Sequence, residues 1–172
     1  MSFRRFVIAG VLSMAVSGIA VHAQGMKITS SAFMHNGSIP AKYTCDGAGM
    51  NPPLQFSGVP AAAKSLALVV EDPDVPKNLK ADGLFEHWLI WDIDPKKTGF
   101  AEGEGKGGIN EMGSAGFIGP CPPDREHRYF FKLFALDTML TGAKISSKAD
   151  LDKAMAGHVM TTAELIGLYK KQ

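Results

Sequence analysis

Residues 65–72, SLALVVED, form an almost unbroken apolar run that stops at Pro73. A short continuous run bounded by turn residues reads as a buried strand. Residues 85–93, FEHWLIWDI, are rich in aromatic and β-branched side chains and end at Asp94-Pro95. They are too few for a typical helix and read as a second central strand. Residues 129–137, YFFKLFALD, read as a third, while 51–56 and 27–29 offer weaker edge strands. At Ser147 the pattern changes: Leu151, Ala154 and Met155 recur at helical spacing until Gly157. Thr161 or Thr162 could then cap a last helix with Leu165, Leu168 and Tyr169 on one face and Lys170 and Lys171 at its negative end. Together these predict a mainly β, antiparallel sandwich with short C-terminal helices on its flank.

Composition agrees with one compact domain. Of 172 residues, 45% are hydrophobic and 20% charged, with 19 glycines and 10 prolines, which favours turns and short strands over a helical bundle. The formal net charge is +1, which excludes a broad electrostatic clamp for nucleic acid. Arg4 and Arg5 precede an apolar run from Phe6 to Val21, and Val21-His22-Ala23 places small residues at both positions a signal peptidase reads. Residues 1–23 therefore read as a cleaved signal peptide, and 24–172 as a periplasmic or secreted domain. The competing membrane anchor is disfavoured because the run falls short of the roughly 20 residues a spanning helix needs. In an oxidising compartment Cys45 and Cys121 are either one disulfide or a pair of buried thiols. A bridge would contribute about 4 kcal/mol by loop closure.

Three polar clusters stand at strand ends: Asp72-Pro73-Asp74-Val75-Pro76, Glu86-His87-Trp88, and Gly119-Pro120-Cys121-Pro122-Pro123 leading to His127-Arg128-Tyr129. Strand alternation aims His127 and Tyr129 one way and Arg128 the other; it likewise groups Phe85, His87, Leu89 and Trp91, with Trp88 turned away into the core. The prolines stiffen the loops, as a preorganised small site requires.

DPDVP, EHWLIWDI, GPCPP and HRYFFKLFALD, in that order, resemble the phosphatidylethanolamine-binding protein family, also called Raf kinase inhibitor proteins. YTCDG, NPPL and INEMGSAGFIGPCPP resemble its bacterial branch, and the likeness runs from about Lys27 to Tyr169. The resemblance implies an antiparallel β-sandwich with a small pocket for phosphate-like anions. By position it assigns ligand binding to Asp72, His87, His127 and Tyr129, the pocket rim to Cys121 and Pro122, and loop organisation to Asp74. The implied ligand is a small phosphate-bearing anion, with a phospholipid headgroup such as phosphorylethanolamine among the candidates. Some relatives instead act on protein partners, modulating a protease or a signalling kinase pathway. Cys121 interrupts the Gly-Pro-Pro loop of animal members, so their kinase and lipid specificities do not carry over directly.

The same residues allow blander or rival chemistry. Two histidines and an aspartate could form a 2-His-1-carboxylate metal site, but neither HxH nor HExxH spacing is present. No GxSxG elbow supports a hydrolase, so neither metal, cofactor nor catalysis is expected. Gly103–Gly108, GEGKGG, lacks the spacing of a phosphate loop and reads as a flexible turn near the pocket. His35 and His158 are isolated and read as surface residues, and the methionines as scattered packing, with Met155 and Met160 on helices.

Overall fold

A computed structural model describes residues 25–172; the predicted signal peptide lies outside the described residues. The strands are β1 (Lys27–Thr29), β2 (Gly37–Ser38), β3 (Leu54–Ser57), β4 (Ser65–Asp72), β5 (Phe85–Ile93), β6 (Gly99–Phe100), β7 (His127–Leu136) and β8 (Val159–Tyr169). One α-helix, α1 (Lys148–Met155), precedes the last strand. A three-stranded sheet, β1-β3-β6, faces a five-stranded sheet, β2-β8-β7-β4-β5. All pairings are antiparallel except the short β2–β8 contact, which is parallel.

The unbroken apolar character of β4 has a direct cause: all eight of its residues are buried, because both faces of the large sheet are covered. On one face Leu66, Leu68 and Val70 join Trp88, Tyr129, Phe131 and Leu133 against Ile28, Leu54, Phe56 and Phe100 from the small sheet. On the other, Ala67 and Val69 join Leu89 and Leu136 under Leu151 and Met155 of α1. The helix starts where the sequence places it, with the Ser147 hydroxyl accepting from the Asp150 amide at 3.2 Å.

The final helix expected after Thr161 is instead β8, hydrogen-bonded to β7 in register from His127↔Tyr169 to Leu136↔Val159. Leu165, Gly167 and Tyr169 are buried at period two, a strand pattern that the apolar residues at 165, 168 and 169 disguise as a helical one. Gly167 is the residue that tells them apart. It has no side chain because Ile39 and Phe33 pack onto its backbone, where a Cβ would lie 2.5 Å from Ile39. Met160 accordingly lies on a strand and is 41% exposed.

A second correction concerns β5. Its register against β4 slips between Val70↔Trp88 and Glu71↔Glu86, leaving His87 as the extra residue of a bulge. Strict alternation therefore fails at the site. Trp88 packs in the same cluster as Tyr129, on which His87 also stacks, whereas Leu89 and Trp91 lie in the cluster beneath α1. The GEGKGG segment is stapled rather than free: the Trp88 indole donates to the Gly107 carbonyl at 2.7 Å, and Leu89 and Ile109 exchange backbone bonds of 2.8 and 2.9 Å.

Candidate functional site

Where β4 ends and β5 begins, the large sheet opens into a cavity of about 260 Å³. It is lined by Asp72, Val75, Phe85 and His87 from the β4–β5 junction and by Ile118, Gly119, Cys121 and Pro123 from the segment before β7. The mixture is informative: two buried ionisable groups lie within an otherwise apolar surround, the composition of a small-molecule site.

Asp72 is committed to the protein through both oxygens. One accepts the Asp74 amide at 2.8 Å, closing the turn that Pro73 initiates, and the other pairs with His127 Nδ1 at 2.7 Å. His127 Nε2 meets the Asp124 carboxylate at 2.8 Å, so the fully buried ring lies between two aspartates. Asp72 thus lines the cavity with both of its oxygens already partnered inside the protein.

His87 is held differently. Its Nδ1 lies 2.7 Å from the Ile118 carbonyl, which can only accept, so Nδ1 carries the proton and Nε2 is left for the cavity. Burial pushes its pKa below the ordinary 6.5, against the opposing pull of the Ile118 carbonyl and Asp72. The free site thus presents a neutral ring wedged between Phe85, at 4.8 Å between ring centroids, and Tyr129, at 5.2 Å. The Tyr129 hydroxyl is buried without a hydrogen-bond partner, and burial followed by the charge of Asp72 raises its pKa well above the usual phenolic range.

The surrounding ion pairs brace these groups. Arg128, on the opposite face of β7 from His127, grips both oxygens of Asp74 at 2.8 Å and lowers its pKa. Beside His87, Glu86 is pushed up to about 7, first by burial and then by its neighbour Glu111. Lys80 clamps the pair, with its ammonium 2.6 Å from Glu111 and 3.8 Å from Glu86. This cluster ties the segment carrying Ile118 to the start of β5, since the Glu111 amide donates to the Glu86 carbonyl at 3.0 Å.

Of the residues singled out in the sequence, Asp72, His87 and Cys121 line the cavity. His127 and Tyr129 lie behind them, buried, and neither lines it. Pro122 is buried under the rim, and its neighbour Pro123 takes the wall position. Cys45 and Cys121 are joined in a disulfide with Cα atoms 5.3 Å apart. Among the described residues no group of three His, Cys, Asp or Glu side chains could hold a metal ion, and the GEGKGG segment does not line the cavity. Sequence reasoning missed Asp124 and the Ile118 carbonyl. The first is readable as an acid three residues before a histidine; the second is a backbone atom and leaves no trace in residue type.

Comparison with known proteins points one way. Residues 29–170 match the family described as phosphatidylethanolamine-binding protein. A UPF0098 protein of Chlamydia muridarum is 48% identical over 149 residues, covering 85% of this chain and 99% of its own. The crystal structure of a phosphatidylethanolamine-binding protein homologue from Chlamydia trachomatis superposes with a TM-score of 0.82 at 46% identity, covering 86% of this chain and 99% of that one. E. coli YbcL, described as a new member of the mammalian family, superposes with a TM-score of 0.76 at 28% identity, over 87% of this chain and 100% of its own.

Proposed function

The chain belongs to the phosphatidylethanolamine-binding protein family, and we propose that it is a secreted or periplasmic binding protein whose cavity takes a small phosphate-bearing anion, such as a phospholipid headgroup. One observation carries the reading. His87 offers Nε2 to a largely apolar cavity while its other nitrogen and the nearby Asp72 are already satisfied within the protein. A phosphate that brings its own proton can share it with Nε2, and its charge then stabilises the imidazolium. Binding is thereby coupled to proton uptake and weakens as pH rises.

The cavity volume suits a headgroup and excludes acyl chains, so the protein reads a headgroup without extracting a lipid. Binding rather than catalysis fits the chemistry present, because the sulfur at the wall is held in a disulfide and cannot act as a thiolate nucleophile. Export fits the charged and apolar pattern of residues 1–23.

The test is an NMR titration of the His87 ring signals with phosphorylethanolamine and inorganic phosphate. Saturable shifts that vanish in His87→Ala, with affinity falling between about pH 6 and about pH 8, are expected. His87 signals unmoved by either compound would refute the anion reading. N-terminal sequencing of the exported protein should begin at Gln24, and recovery of the protein with Met1 retained in the cytosolic fraction would refute export.

A further inference from the structure

The rim of the cavity hangs on its disulfide. From Pro120, whose carbonyl accepts the Cys45 amide at 3.0 Å, the wall continues through Cys121, Pro122 and Pro123 to Asp124. Two of those three wall residues are prolines without an amide proton, and among the described residues none of the three makes a hydrogen bond. Asp124 restores the attachment through its contact with His127. Between these anchors, among the described residues, the Cys45–Cys121 bond is the one covalent crosslink, Pro122 is buried beneath it, and Cys121 and Pro123 both line the cavity.

Both cysteines are solvent-exposed, so the bond is open to attack from outside, unlike a disulfide sealed in a core. The loop it joins to the rim is well anchored: the Thr44 hydroxyl bonds the Ala41 carbonyl at 2.8 Å, and Gly119 packs so closely on Tyr43 and Thr44 that a Cβ there would lie 2.9 Å from the Tyr43 carbonyl. Breaking the bond therefore removes the rim's covalent tie to that loop, leaving it held by the packing of Pro122 and by its two end anchors, with the sheet and the loop in place.

We propose that the Cys45–Cys121 disulfide is a redox latch on the ligand cavity: closed, it holds the 121–123 wall in the binding position, and reduction by an external thiol releases that wall and weakens ligand binding. This rests on the anion-binding reading above. In the opening step the thiolate of a dithiol reductant attacks one sulfur of the pair, forming a mixed disulfide and expelling the other cysteine as a thiolate. The reductant's second thiol then resolves the mixed disulfide, so the reductant is oxidised and both cysteines are reduced. If the freed wall occupies the binding position about one tenth of the time, apparent affinity falls about tenfold. By reciprocity, bound ligand disfavours reduction by the same factor.

The experiment compares phosphorylethanolamine affinity of the full protein when oxidised, when reduced with dithiothreitol, and after reoxidation, with Cys45→Ser as a second route to the open state. Circular dichroism and amide hydrogen exchange report folding in every sample. About tenfold weaker binding by a folded reduced protein, restored on reoxidation, is the expected result. Equal affinity in the two states overturns the latch, and so does global unfolding on reduction, which would make the bond a general staple. If neither state binds phosphorylethanolamine or inorganic phosphate, the anion reading fails, and the latch is decided without ligand. Faster exchange on reduction at the Cys45 amide, which donates to the Pro120 carbonyl at 3.0 Å, with β4 and β7 unchanged, then supports it; unchanged exchange at that amide overturns it.

Discussion

Removing Asp72 tests how much stability its buried hydrogen bond with His127 contributes. His127 has no exposed surface, and the two aspartates on it differ sharply: the Asp72 side chain is 5% exposed and that of Asp124 41%. In Asp72→Ala the ring nitrogen loses its buried partner where water cannot replace it, a change that costs about 1–3 kcal/mol. The Asp74 amide also loses its acceptor, adding about 1 kcal/mol. With total stability of about 5–15 kcal/mol for a domain, that is a substantial share. At a urea dependence of about 2 kcal/mol per molar, the unfolding midpoint should fall by about 1–2 M. Asp124→Ala leaves Nε2 facing solvent, and water takes over the contact, so its midpoint should move far less. Chemical denaturation of both variants at constant pH is the assay. Equal shifts for the two variants, or an Asp72→Ala midpoint within about 0.3 M of the parent, would refute a stabilising buried Asp72–His127 bond.

Two further outcomes follow from the same geometry. The folded-state pKa of His87 lies below its ordinary 6.5, so the unfolded chain takes up the proton first as pH falls. The stability that neutral His87 supports is complete above about pH 6.5 and declines below it; His87→Gln should flatten this fall in denaturation midpoints between about pH 7.5 and pH 5, and an unchanged slope would count against a buried neutral ring. Gly167→Ala forces a Cβ to within 2.5 Å of Ile39 and 2.8 Å of Phe33, an overpacking that should cost about 1–3 kcal/mol in thermal or chemical unfolding, whereas a neutral result would mean that this contact relaxes freely.

The strands that build the framework were readable because each carries its environment in its own residues. β4 is apolar throughout since it is covered on both faces, and β7 alternates from His127 onward because one face meets the small sheet and the other is half-solvated. β8 was misread because its helical spacing is a coincidence of three apolar positions, and its pairing partner lies some thirty residues away, beyond any local window. The site was legible in part for the same reason. Asp72 sits at a strand end beside Pro73 and His87 near the start of β5, whereas the burial of His127 and Tyr129 behind the cavity follows from how the strands pack.

What the amino-acid sequence determined by itself is the set of local constraints: which runs are buried, where the chain must turn, and which ionisable groups arrive at the strand ends. Tertiary structure alone decided the rest. The bulge at His87 depends on how β5 registers against β4, the proton position on its ring depends on a backbone carbonyl from a distant loop, and Cys121 in the cavity lining is joined to a residue 76 positions away. These are long-range pairings, and residue type records what a side chain can do without recording which partner the fold will bring to it.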